Sequence, residues 1–308
     1  MRFDSKSASL SARGPRLLAA ALIVLLFAAC STIKMGYNNA DMLLLHAVDR
    51  YVDLTDEQEQ MVRQRVGSLL AWHRATQLTD YAAFVQNARA NLGGFVTEVE
   101  IRDFNEGLNA RLALLGERAA PDVAALALTL TPAQIDQLER KLVDDNIKAR
   151  KESARELKQA VDERAKKYGE RSEFWLGKLT PEQRQIVRTS LANRPVDSLY
   201  WLEARERRTR DLITLLRRIH SERPTEQVAA TWFRAYFRDL SRPASAEQRA
   251  RAEAFRRDNA VLMAQLINSA TAEQRAHLDR RLAGFQSEFV QLAAARAGDS
   301  WLLDWIRP

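Results

Sequence analysis

Three groupings in the sequence bring together residue types that can do chemistry. His46, Asp49 and Asp53 are spaced three and four apart, which is ligand spacing for a divalent metal if one helix carries all three. Trp72, His73 and Arg74 are consecutive, and an indole beside a guanidinium can bind an anionic or aromatic ligand by stacking and charge. Arg205, Arg207, Arg208, Arg210, Arg217 and Arg218, with Glu206 and Asp211 among them, are dense enough to meet phosphate-rich headgroups or lipopolysaccharide. Each grouping also has a structural reading. The first is a solvated face opposite Leu43, Leu44 and Val48. Trp72 fills core. The arginines coat a helix whose other face is Leu212, Leu215, Leu216 and Ile219. On the structural readings no metal and no cofactor is expected. Trp301 and Trp305, four apart near the C-terminus, suit a membrane interface, a partner groove or a lid folded back on the body.

The one cysteine, Cys30, carries a different chemistry. Four basic residues and one acid occupy positions 1–16, and Leu17–Ala29 is an unbroken apolar run of thirteen. As a helix that run spans about 20 Å, short of a bilayer core of about 30 Å. A basic start, a short apolar stretch and small residues before a cut site mark a signal peptide. Phe27-Ala28-Ala29-Cys30-Ser31 resembles the bacterial lipobox, in which the cysteine is diacylated and becomes the mature N-terminus; Phe27 stands where leucine is usual. An acylated Cys30, carrying palmitate-type chains, anchors the protein stably in a membrane. By resemblance to the sorting rule of enterobacterial lipoproteins, Ser31 directs the chain to the outer membrane on its periplasmic face rather than to the inner one.

Composition narrows the rest. At 46% apolar and 28% charged, the 308-residue chain is too apolar and too balanced to be disordered. A single cysteine excludes an internal disulfide and any Cys-based zinc or iron–sulfur site. Removal of residues 1–29 takes the basic count from 47 to 43 and the acidic count from 40 to 39, so the net charge drops from +7 to +4 over 279 residues. That excess is a weak footprint for nucleic acid, which is not expected as a partner.

The elements that must position these groups all read as helix. Glycine and proline are scarce, apolar residues recur at three and four, and alternating β-branched runs are absent. Five Ser/Thr-x-x-Gln capping boxes start helices at Thr55–Gln58, Thr131–Gln134, Thr180–Gln183, Ser245–Gln248 and Thr271–Gln274, and Thr97–Glu100 is a sixth of the same kind. Four residues after each Gln stand Val62, Leu138, Val187, Ala252 and Leu278, expected on buried faces. The spacing predicts helices near 40–52, 55–76, 79–92, 97–118, 121–129, 132–176, 181–193, 196–221, 225–241, 245–268 and 271–296, with a turn at 299–306 and every internal proline at a helix boundary. The expected fold is all-α, one or more multi-helix bundles. Its parts are a lipidated tether at 30–39, an N-terminal bundle at 40–130, a long charged helix at 131–176 and a C-terminal bundle at 177–308. The charged helix has a sevenfold seam of Ile147, Ala154, Val161 and Tyr168 and is either continuous or broken near Asn146.

Gly36–Asp41, Asp49–Gln58 and Trp72–Tyr81 resemble segments of an uncharacterised family of proteobacterial lipoproteins, and Trp175–Gln183 extends the resemblance. It implies an exported, lipidated helical protein and carries no activity. The matching residues Tyr37, Asn38, Asn39, Asp41, Asp49, Tyr51, Asp53, Trp72, His73 and Arg74 form the candidate binding surface. Leu54–Gln58, Leu130–Gln134 and Leu179–Gln183 also resemble the Leu-Thr-x-x-Gln motifs of small periplasmic stress chaperones, a pattern that helix capping alone produces. There is no His-Glu-x-x-His, no Gly-x-Ser-x-Gly and no glycine-rich phosphate loop, so a non-enzymatic role is expected. The expectation is a membrane-anchored protein that binds another envelope component. A tethered chaperone and a cell-wall or lipid-active enzyme are the alternatives.

Overall fold

The computed structural model describes residues 32–194, 198–240, 243 and 245–295. Cys30 with its cut site, Trp301 and Trp305 lie outside them. Twelve α-helices and no strand make up the described residues. They are α1 (Thr32–Asn38), α2 (Ala40–Val52), α3 (Asp56–Thr76), α4 (Leu78–Asn91), α5 (Glu98–Thr129), α6 (Pro132–Leu157), α7 (Val161–Leu176), α8 (Pro181–Ala192), α9 (Ser198–Glu222), α10 (Glu226–Asp239), α11 (Ala246–Asn268) and α12 (Ala272–Ala294). None of them is long and apolar enough to cross a membrane.

Local capping sets most of the helix starts. Thr55, Thr97, Thr180 and Thr271 each accept from the backbone N–H three residues on, while the Gln or Glu at that position returns to the cap. Thr131 and Gln134 make the same exchange. Ser245 accepts from the Gln248 N–H, but the Gln248 amide reaches Glu203 instead. Val62, Leu138, Val187, Ala252 and Leu278 are all buried, as their spacing predicts.

Two cores form, and each draws on distant parts of the chain. In one, Val52, Ala124, Ile135, Ile213 and Phe233 bring together α2, the C-terminal half of α5, α6, α9 and α10. In the other, Leu176, Val187, Leu262 and Leu278 join α7, α8, α11 and α12. Val96 and Ile101 at the start of α5 pack on Ala260 and Ala264 of α11. The 32-residue α5, about 48 Å long, therefore runs from one core to the other. Helices far apart in sequence pair: α5 packs on α10, and α4 lies along α12. Hydrophobic faces find their partners by complementarity rather than by order along the chain.

Three further expectations change. The helices expected at 97–118 and 121–129 are one, with Pro121 inside it. Its neighbours Ala120, Ala124 and Ala125 are buried, and that packing offsets the lost N–H. The charged stretch is two helices, and the break falls at 158–160 rather than near Asn146. Asn146 is buried within α6, donating to Thr209 Oγ1 at 3.0 Å and accepting from Arg205 Nε at 2.8 Å, while Ile147 is exposed. The contact with α9 therefore follows Leu138, Leu142 and Asn146, not the sevenfold seam. Finally, within the stretch expected as a lipidated tether at 30–39, Thr32–Asn38 is helical, because that turn is bonded to the body as described next.

Candidate functional site

The predicted surface residues separate into two places. Tyr37, Asn38, Trp72, His73 and Arg74 converge where α1 meets the last turn of α3, the first turn of α4 and the end of α12. The hydroxyl of Tyr37 lies 3.0 Å from His73 Nδ1 and 3.4 Å from the Leu70 carbonyl. His73 Nε2 lies 3.2 Å from the hydroxyl of Tyr81, whose ring meets Phe289 edge-on at 5.8 Å. A neutral imidazole donates from one nitrogen and accepts on the other, so the row Tyr37–His73–Tyr81 is satisfied without charge. Burial holds the His73 pKa below its usual value and pushes both tyrosines up.

Arg74 closes the same junction. Its guanidinium sits 5.0 Å over the Tyr37 ring, donates to the Leu292 carbonyl at 3.0 Å and reaches Asn38 Oδ1 at 3.5 Å. Lys34 bonds to Gln291 across the α1–α12 contact. Trp72 is half-buried with Arg118 over its ring, and Asn39 bonds back to the Met35 carbonyl at 2.7 Å. Asp41 is exposed in the first turn of α2. Two residues that sequence reasoning missed complete the junction: Tyr81 and Glu288. Burial raises the Glu288 pKa, Lys34 opposes that, and the buried Oε2 has no hydrogen-bond partner among the described residues. The eight-residue step from His73 to Tyr81 across the α3–α4 turn is the one sequence signal that could have found Tyr81; nothing local marks Glu288.

The second place is the α2–α3 turn. Helix α2 ends at Val52, and Asp53 takes a left-handed conformation with φ 61°. Asp53 therefore leaves the helical face of His46 and Asp49. The Asp49 carboxylate accepts from the Leu54 N–H at 2.9 Å, and the Asp53 carbonyl accepts from Gln134 Nε2 at 3.0 Å. Among the described residues no three His, Cys, Asp or Glu side chains are grouped to hold a metal ion. Tyr51 donates to Asp145 at 2.6 Å, a bond that raises the tyrosine pKa and lowers that of the carboxyl.

The arginine run is largely engaged within the protein. Arg205 bonds Asn146, Arg208 the Leu240 carbonyl, Arg217 both Asp136 and Glu139, and Arg218 both Glu222 and the face of Trp232. A depression of about 100 Å³ beside Arg217, lined by Asp136 and His220, has room for a few waters and not for a metabolite. The chemistry of the α1 junction is thus that of a clasp: aromatic, uncharged at its centre, and closed by one guanidinium.

Residues 50–228 match the model of DUF6279, a family of unknown function. That range includes Tyr51–Gln58 and Trp72–Tyr81 and leaves out Gly36–Asp41. No curated protein and no solved structure matches the chain.

Proposed function

The chain belongs to the DUF6279 family of unknown function, and from that premise we propose that it is a lipid-anchored helical protein of the bacterial envelope with a non-enzymatic binding or structural role. The observation that carries this reading is the junction around Tyr37 and His73. Cys30, in its lipobox-like setting, stands two residues before α1, and α1 is bonded to α3 and to α12. An acyl group on Cys30 would hold the whole body against the membrane, because the chain between them is no free tether. Tyr37, His73, Tyr81 and Arg74 each spend their polar atoms on other protein groups, which suits a clasp better than a catalytic centre. The partner is then another envelope protein or component.

Labelling with radioactive palmitate tests the anchor. Wild type takes up label and Cys30→Ala does not; an unlabelled wild type would sink the reading. Crosslinking in cells followed by pull-down identifies the partner.

A membrane-tethered chaperone is the second reading. Leu108, Leu112 and Leu114 are exposed on the central part of α5, between the two cores, and offer apolar surface to an unfolded client. It predicts that the protein suppresses aggregation of a denatured client in proportion to its concentration, and that Leu112→Asp weakens the effect.

A further inference from the structure

The outer side of α2 exposes three large apolar side chains. Met42 is 57% exposed, Leu43 54% and Leu44 42%, while Leu45 and Val52 on the opposite side are buried and Val48 and Tyr51 pack on the same core. Met35, on the neighbouring α1, is 52% exposed. Large apolar side chains exposed together in this way mark an interaction surface rather than scatter. The same face of α2 carries His46 and Arg50, both exposed, and Lys34 lies on α1. Met42 shares a row of the helix with His46, and Leu43 with Arg50, so apolar and basic side chains are interleaved on the exposed side, a mixture that suits a headgroup layer.

Chain continuity says what covers this face. One residue, Ser31, separates Cys30 from Thr32, a span of at most about 7 Å. Helix α1 is fixed to the body through Tyr37, Asn38 and Lys34, and a single residue, Asn39, joins it to α2. At 13 residues, α2 is about 20 Å long. An anchor on Cys30 therefore brings the exposed face of α2 within reach of the bilayer surface. The end of α12 lies against α1 as well, so the chain leaves the described residues at Ala295 on that side. The thirteen residues beyond carry Trp301 and Trp305, a residue type that favours the membrane interface.

We propose that α1 and α2 form a membrane-docking surface, with Met35, Met42, Leu43 and Leu44 inserted among phospholipid headgroups and His46 and Arg50 facing the phosphates. The proposal rests on acylation of Cys30 for its geometry. It sets the orientation of the body, with the α2 face down and the loop at Phe95 away from the bilayer.

The test uses the full-length protein in vesicles of phosphatidylethanolamine and phosphatidylglycerol. With Cys30 acylated, Met42→Cys, Leu43→Cys and Phe95→Cys each offer one thiol for an environment-sensitive fluorophore. Phe95 is the control, because it is 78% exposed and sits beside the opposite end of α12. The expected result is a blue shift and quenching by brominated lipid, at least threefold stronger at positions 42 and 43 than at 95. The intact mass of each chain reports acylation separately. Acylated chains with equal, weak quenching at all three positions overturn the docking surface and leave the lipoprotein reading standing. Unacylated chains sink that reading, and the three probes placed in a Cys30→Ser background then decide docking alone: quenching at 42 and 43 supports it, and its absence overturns it. Crosslinking between two Leu43→Cys chains in place of quenching assigns the face to a second copy and also overturns the proposal.

Discussion

Gln58 and Gln134, 76 residues apart, exchange their side-chain amides in a buried reciprocal pair. Gln58 Nε2 donates to Gln134 Oε1 at 3.2 Å, and Gln134 Nε2 donates to Gln58 Oε1 at 2.6 Å. Each glutamine also returns to its own cap, Thr55 or Thr131. The other core repeats the arrangement. Gln183 and Gln274, 91 residues apart, exchange bonds of 2.8 Å in both directions. The surroundings correspond atom by atom. Gln58 reaches the carbonyl and hydroxyl of Thr129, and Gln183 those of Ser269. Gln134 reaches the Asp53 carbonyl, and Gln274 that of Lys178. Two capping boxes are thus locked tip to tip in each core, and the lock joins the starts of α3 and α6 in one and of α8 and α12 in the other.

Truncating one member leaves the partner amide buried with lost bonds. Gln183→Ala should cost about 2–3 kcal/mol of stability, read as a lowered urea midpoint by circular dichroism. Gln183→Leu combined with Gln274→Leu should cost less than the two single changes together, because neither amide is then left alone. Additive losses would show that the two amides are not coupled.

Gly177 precedes the second lock in a conformation, φ 73° and ψ −166°, that is essentially reserved to glycine. Gly177→Ala should cost about 1–3 kcal/mol. Gly284 is the contrast: it lies inside α12, and a Cβ there meets nothing within 4 Å. Gly284→Ala should raise stability by about 0.5–1 kcal/mol. Thermal midpoints of the two variants should therefore move in opposite directions.

What was legible in the sequence follows the range of the interaction. Capping boxes depend on four consecutive residues, and those at Thr55, Thr97, Thr131, Thr180 and Thr271 stand as read. The amide locks span 76 and 91 residues and were not legible, although one hint was available. A glutamine four residues before a buried Val or Leu shares its helix face, so Gln58 and Gln183 had to be buried with Val62 and Val187. Asn146 misled for the opposite reason. Burial of an amide is stable only where a donor and an acceptor await it, and Thr209 and Arg205 belong to a helix about 60 residues away. In the α1 junction, Trp72, His73 and Arg74 were visible as a group; their partners on α1 and α12 were not.

Removing the Tyr37 hydroxyl should loosen α1. Tyr37→Phe keeps the ring beneath Arg74 and loses the contacts to His73 and Leu70. A hydrogen bond worth about 1 kcal/mol corresponds to about fivefold more frequent opening. Tryptic cleavage after Lys34 should accelerate by that factor, while cleavage within α9 stays as in wild type.

Protonation of His73 should destabilise the fold. Burial lowers its pKa from the usual 6.5, so the unfolded chain takes up a proton before the native one does. The stability present above about pH 6.5 is then lost as pH falls through that value toward the lower native pKa. The groups facing the ring are the hydroxyls of Tyr37 and Tyr81, with the Arg74 cation over the Tyr37 ring. The urea midpoint of wild type should fall between pH 7 and pH 5. His73→Gln, which cannot be protonated, should flatten that slope even if it starts from a lower midpoint.

Glu288 should act with the opposite sign. Burial raises its pKa above the usual 4.5, so the native state holds the proton more tightly than the unfolded chain does. The native fold is favoured below that raised pKa, and the advantage disappears as pH rises through it. Above that raised pKa the carboxylate is ionised in a buried setting, with an unpartnered Oε2 among the described residues and partial relief from Lys34. Glu288→Gln, a neutral mimic of the protonated form, should therefore stabilise the protein at pH 7 and make little difference near pH 4. Because α12 meets α1 here, the same change should slow tryptic cleavage after Lys34 at pH 7. A variant less stable than wild type at neutral pH would show that the Glu288 carboxylate has a compensating partner and that its charge helps to hold α1 in place.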